Sequence, residues 1–304
     1  SVSMSNSKIS YIDEAGNKKY RFENISLETG SLGIGQDVSL QLAGDVSASF
    51  PEFEGSVKLS SEFNFKDSRN IEISSLEGKV VSRKGILGES EAGINLNLAL
   101  NGSLIKIGQF ALDAAETSVT LSGEGNVDNF TFTGPLKIKS KPRRVLEIAG
   151  VAPKLGSDSA LGEFSLNAQL SSVKEKETRV GNIDARLDKT GIKGELLART
   201  GENVKISGWL GMDNITLDDY LPADSAEASK SAGGSGSAQT SGSGSAKGGE
   251  KDGGKYTPPT LGLDLDLNIE SLAVKGMSFK NIKTKVKGEE SVYSLNPLGF
   301  DFAS

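Results

Sequence analysis

Apolar and polar residues alternate with period two along most of the chain, the mark of half-buried strands. Val57, Leu59, Phe63 and Phe65 form one long alternating run, and Ile71 and Ile73 another. Ile94, Leu96, Leu98 and Leu100 alternate with Asn95, Asn97 and Ala99. The pattern repeats at Val119 and Leu121, at Phe130 and Phe132, and at Leu136 and Ile138. Further strand signals lie at 164–170, 182–187, 191–199 and 204–211. Leu263, Leu265 and Leu267 continue the alternation near the end of the chain. Clusters of Gly, Asn and Asp at 67–70, 88–93 and 123–129 are expected to supply turns. Strand signals recur every ~10–15 residues, the spacing of antiparallel hairpins.

One segment breaks the pattern. Pro-Arg-Arg-Val-Leu-Glu-Ile-Ala-Gly at 142–150 reads as a short helix. Pro142 suits its first turn, Val145, Leu146, Ile148 and Ala149 give an apolar side, and Gly150 can end it. The expected fold class is therefore mainly β. Antiparallel, strongly curved sheet or sheets form an open groove or a sandwich, with one short helix. Aromatic residues are only 6% of the chain and substantial helices are absent, so little material remains to fill a trough. That favours the open groove.

Composition changes sharply after Pro222. Residues 223–257 hold almost nothing apolar larger than Ala, so this Gly/Ser-rich linker is expected to be disordered. It divides a β-rich region, 1–222, from further strands of the same region, 258–304.

With 34 basic and 40 acidic residues interspersed, net charge −6, and no basic stripe, nothing invites nucleic acid. The chain has no Cys, so disulfides and thiolate metal sites are excluded. It has no His, the commonest general base and transition-metal ligand. No catalytic residue, cofactor site or metal site is expected. No apolar run of ~20 residues is long enough to span a membrane as a helix. The chain opens on Ser1 and closes on Gly-Phe-Asp-Phe-Ala-Ser in mid-pattern, and is expected to be an internal piece of a longer protein.

A few constellations carry a sharper and a blander reading. Asp264 and Asp266 share one strand face, as an acid–base or metal pair or as a solvated face opposite the leucines. Asp218 and Asp219 could form the charged entry of a helical turn, with Thr216 or Asp218 as cap. Lys137, Lys139, Lys141, Arg143 and Arg144 are the densest basic cluster, for anionic headgroups or for a solvated edge. Trp209, between Gly208 and Gly211, is either packed in the core or exposed at a groove mouth. Gly33-Ile34-Gly35 and Gly123-Glu124-Gly125 lack the context of a phosphate loop.

The order of these elements resembles the AsmA family of bacterial envelope proteins. The short helix at 142–150, four strands, Leu-Asp-Asp-Tyr-Leu-Pro at 217–222 and a linker follow one another as in that family. Upstream, residues 18–63 are similar to its repeated strand units, with Leu27, Thr29 and Gly30 before a strand of alternating leucines. Downstream, 263–304 is similar to its later strand pairs. The resemblance implies a non-enzymatic, periplasmic, β-rich groove in outer-membrane biogenesis or homeostasis, tethered to the inner membrane by an anchor outside this sequence. It implies phospholipid, or another amphiphile, as the partner that the groove binds or conducts. Ile94, Leu96, Leu98, Leu100, Leu263, Leu265 and Leu267 are the expected lipid-facing residues. The alternative is a structural or adhesive β-repeat protein with a dry core, which would need a regular repeat of ~20–30 residues. An enzyme survives only as a carboxylate-only glycosidase.

Overall fold

The computed structural model describes residues 1–14, 16, 18–50, 52–85, 88–174, 176–201, 203–222, 261–289 and 292–302. Of these, 76% are strand. Nine strands come first: β1 Ser3–Asp13, β2 Lys18–Thr29, β3 Asp37–Ser49, β4 Glu52–Asp67, β5 Asn70–Gly85, β6 Ser90–Asn101, β7 Leu104–Ala114, β8 Thr117–Asn126 and β9 Thr131–Ser140. Helix α1, Pro142–Ile148, follows. Then come β10 Phe164–Lys174, β11 Glu177–Leu187, β12 Thr190–Arg199 and β13 Val204–Thr216, and a 3-10 turn at Leu217–Asp219. Strands β14 Leu261–Val274, β15 Met277–Glu289 and β16 Val292–Phe302 complete the order.

All sixteen strands form one sheet in strict sequence order, and β1 does not pair with β16. The sheet is open. Neighbours are antiparallel except β13 and β14, which run parallel with Val204 beside Leu261. Parallel neighbours need a crossover connection, and this one runs through 223–260. The linker expected to be disordered at 223–257 lies outside the described residues.

Register puts the apolar alternation of every strand on one side. A directly paired row starts at Met4 and passes through Leu27, Leu42 and Leu59 to Gly78 and Ile94. It continues through Leu112, Val119, Ile138, Leu166, Ala185 and Ile192. It ends at Met212, Ile269 and Ile282. Fifteen strands thus contribute to one row with no polar side chain in it. At ~4.8 Å per strand the row is roughly 65–70 Å long.

The strands bend at bulges, where one extra residue sharpens local twist. Asn6, Asn24, Asn182 and Asn281 all take left-handed backbone, φ +49° to +54°, at register shifts in β1, β2, β11 and β15. Asparagine tolerates that region better than most side chains. Three of the four precede an isoleucine: Ile25, Ile183 and Ile282, which are 9%, 7% and 6% exposed. The extra residue lets the isoleucine re-enter the apolar face. Asn24 and Asn281 donate from Nδ2 to Asp45 and Asp301 on the next strand, at 2.8 and 3.0 Å.

Two turn expectations shift. The cluster at 88–93 is mostly strand, since β6 starts at Ser90, and 123–129 turns only after Asn126. Gly123, φ +151°, belongs to β8, where a Cβ would meet the Thr133 carbonyl oxygen at 2.2 Å and the Phe132 ring at 2.8 Å. The glycine lets the partner strand and its ring close in. Phe130, expected in a strand, lies in the β8–β9 turn with φ +54°. Asn126 and Asn129 fix that turn by accepting the Asp128 and Thr131 N–H groups at 2.9 and 3.3 Å.

Helix α1 occupies the expected place. Pro142 sits in its first turn, and left-handed Gly150 follows its end, donating to the Glu147 carbonyl. Its expected apolar side is not sealed, since no residue of α1 is buried.

Candidate functional site

The apolar face is uncovered. Among the described residues no side chain falls below 2% exposure, and the buried hydrophobics are Ile25, Val38, Ala111, Ala160, Ala168, Ile183, Ala185 and Ile282. A sandwich of sixteen strands would seal dozens of side chains between its layers. Here large residues of the same face remain open: Met4, Ile9, Phe22, Phe65 and Leu112 are 37–57% exposed.

The expected lipid-facing residues all lie on this face, and all are half-buried. Ile94, Leu96, Leu98 and Leu100 stand opposite Gly78, Leu76, Ile73 and Ile71 of β5. On their other side they meet Leu112, Phe110, Ile107 and Ile105 of β7. Leu263, Leu265 and Leu267 lie beside Ile206, Gly208 and Leu210 of β13. The two sets do not meet. Eight strand spacings separate β6 from β14, about 38 Å.

On this face Met4, Ile9, Phe22, Ile25, Leu42 and Val57 line a hollow of about 420 Å³. A larger hollow of about 670 Å³ lies over β2–β7 and is lined by Glu28, Lys58, Glu77, Lys79, Glu91 and Asp113 among others. A twisted sheet is concave on both faces along different diagonals. The larger hollow belongs to the charged face and suits no acyl chain.

The charged face carries cross-strand ion pairs: Lys79–Glu91 at 2.7 Å, Arg179–Glu195 at 3.1 Å and Lys285–Asp264 at 3.2 Å. Lys285 also reaches Asp266 at 3.6 Å. The Lys285 ammonium beside it holds the Asp264 carboxyl below the usual carboxylate range. The leucines between these carboxylates face the opposite way. Trp209 is 46% exposed, and its register mates Glu195 and Asp266 belong to this outer, charged face. Its ring extends along its own strand to 3.7 Å from where a Gly211 Cβ would stand. It is neither in a core nor in the apolar trough.

The basic cluster near α1 is largely spoken for. Arg143 donates from Nε and Nη2 to the Ala160 and Ser157 carbonyls at 3.0 and 2.6 Å. Lys141 pairs with Glu116 at 2.9 Å and Arg144 with Glu147 at 3.1 Å. The arginine clamps the loop after the helix, a structural task.

That loop is braced from the sheet. The Asp188 carboxylate, in the β11–β12 turn, accepts the N–H groups of Leu161, Gly162 and Glu163, each at 2.9 Å. It also accepts the Tyr220 hydroxyl at 2.9 Å. Burial, then the Asp188 carboxylate, pushes the Tyr220 phenol up to about 12. Asp218 accepts the Lys275 N–H with both oxygens, at 3.0 and 2.8 Å, tying the 3-10 turn to the β14–β15 turn. Thr216 makes no capping bond. The Leu-Asp-Asp-Tyr-Leu-Pro motif thus anchors the chain before the crossover.

The recurrent Asn-Ile bulge was not expected from alternation. The signal was present: 21–27, 179–185 and 278–284 each place an Asn-Ile pair inside an alternating run. An asparagine there reads as one more polar residue unless a left-handed backbone is considered.

No family model, curated protein or solved structure matches this chain.

Proposed function

We propose that this chain is a non-enzymatic part of an AsmA-like protein of the bacterial periplasm, binding or conducting phospholipid along its apolar face. One observation carries the reading: a row of apolar residues runs without a polar break across fifteen strands and lies open over β1–β4. The open part of that strip cannot stay bare in water without association. An acyl chain that lays ten methylenes on it gains up to about 8 kcal/mol at ~0.8 kcal/mol per buried CH₂. Headgroups stay in water along the strand ends. The tether to the inner membrane and the role in outer-membrane homeostasis come with the resemblance and belong to this proposal.

The test is native mass spectrometry of the purified chain. Bound phospholipid is expected, and Leu96→Glu or Leu265→Glu lowers its occupancy while circular dichroism keeps its strand signal. A parent protein free of lipid, with both variants unfolded by a buried charge, would move the reading to a dry structural or adhesive β protein.

A further inference from the structure

One end of the first nine strands gathers exposed apolar side chains in adjacent turns. At the end carrying the β2–β3, β4–β5, β6–β7 and β8–β9 turns, large apolar side chains project into water. Leu32 and Ile34 are 60% and 79% exposed, Leu104 63%, Val127 38% and Phe130 69%. None belongs to the apolar row of the sheet. The turns that carry them, or in the case of Leu104 directly precede it in β7, are locked side by side. Gly35 donates to the Phe65 carbonyl at 2.9 Å, Gly102 to Arg69 at 2.8 Å and Val127 to Ser103 at 2.8 Å. Five tips therefore stand in a fixed line about 29 Å long, six strand spacings.

The same end behaves differently in the second half of the sheet. Around the β10–β11 and β12–β13 turns, Glu177 and Arg199 pair at 2.8 Å. The opposite strand ends carry Lys84–Glu52 and Lys141–Glu116 pairs. Exposed apolar residues also stand elsewhere on the rim, Phe50 at 62% in the β3–β4 turn, Val151 at 53% after α1 and Met277 at 50% where β15 begins, each at a turn of its own.

We propose that this line of tips docks on a neutral phospholipid bilayer, each side chain entering the boundary between headgroups and hydrocarbon. Three observations select a bilayer over a protein. The tips are separate wedges, divided by Ser31, Asn101, Ser103, Asp128 and Asn129, whereas a protein interface needs a continuous complementary patch. The charges among the turns balance: Lys66 and Arg69 stand against Asp67 and Asp128, and Arg69 reaches Asp128 at 3.5 Å. A balanced set gives no pull toward anionic lipid, so apolar insertion must supply the attraction. The line also borders the apolar face directly: Leu104 precedes Ile105, which pairs with Leu100 in the trough. The proposal goes beyond the lipid-carrying reading, because the docking side chains are not those of the trough.

The full chain is floated with vesicles of phosphatidylcholine and phosphatidylethanolamine. The parent is expected to float, equally at low and high salt. The double variant Ile34→Asp, Phe130→Asp lowers the floated fraction at least about tenfold. Native mass spectrometry of that variant still finds the trough phospholipid, whereas Leu96→Glu loses the trough lipid and still floats. A reporter that needs no loss of function is Phe130→Trp in a Trp209→Phe background. Its emission shifts to the blue with vesicles and is quenched by brominated acyl chains. A parent that stays unbound, a double variant that floats normally, an unshifted emission from the Phe130→Trp reporter or flotation lost with Leu96→Glu each overturns the docking surface.

Discussion

Ile25 in β2 and Ile183 in β11 each follow a left-handed asparagine and each is buried. Around them the sheet differs. Over β10–β13, Ala168, Ile183 and Ala185 form a buried cluster with Phe164, Leu166, Val180, Ile192, Leu196 and Leu210 leaning on it. Over β1–β4 the same face hollows, with Met4, Ile9 and Phe22 37–57% exposed. Two causes are visible. The alanines and glycines of β10–β13 let larger neighbours close over them; at Gly194 a Cβ would meet the Leu210 side chain at 2.7 Å. Strand β1, in contrast, has no outer neighbour to lean on its side chains. Alternation chooses the face, and side-chain volume and position in the sheet decide whether that face shuts.

The largest expected effect comes from placing a charge on the apolar face in each region. Ile183→Glu sets a carboxylate among alanines and leucines and is expected to cost more than about 4 kcal/mol, removing the cooperative transition in urea. Ile9→Glu lies at the open hollow and is expected to change stability by no more than ~0.5 kcal/mol. Comparable urea midpoints for the two variants would show that β10–β13 is no more closed than β1–β4.

Next in size is the brace beside the closed region. Asp188→Ala removes the acceptor of three backbone N–H groups and of the Tyr220 hydroxyl. A loss of about 3 kcal/mol is expected, with early proteolysis between α1 and β10. Asp45→Ala, which removes the acceptor of the exposed Asn24 amide and a surface ion pair with Arg83 at 3.6 Å, is expected to cost under ~1 kcal/mol. Equal losses would mean that the brace adds nothing to the sheet.

The strands were legible because a period of two is a direct consequence of the pleat, and Ile94–Leu100 alternates without a break. Helix α1 was legible from Pro142 and Gly150. The single-sheet answer was less so. Alternation describes one wetted face and is silent on what covers the other, so groove and sandwich read alike until exposure is known. Trp209 was hidden for a related reason: its parity puts it with Lys205 and Ser207, but its apolar bulk suggests a core. The bulged asparagines escaped because backbone handedness leaves no mark on hydropathy. The apolar tips at Ile34 and Phe130 escaped because both sit in stretches read as a failed glycine motif or as a strand.

The smallest expected effect separates the two regions by pH. Tyr220, in the braced half, has its phenol raised from the ordinary 10.0 to about 12 by burial and by the Asp188 carboxylate beside it. A raised value means that the fold favours the neutral hydroxyl. The corresponding stability is fully present below pH 10 and is lost as pH rises through about 12. Urea midpoints of the parent are therefore expected to fall across that window, with one phenol titrating late by absorbance near the top of it. In Tyr220→Phe this part of the fall disappears, although the variant starts lower by about 1 kcal/mol for the lost hydrogen bond. The hollow of β1–β4 has no such group: its lining is Met4, Ile9, Phe22 and aliphatic neighbours, with Asp45 at the margin. Lipid occupancy there is expected to hold constant while the braced half loosens. If occupancy fell in step with the Tyr220 titration, the two regions would be one cooperative unit, and the contrast between a closed and an open half would have to be abandoned.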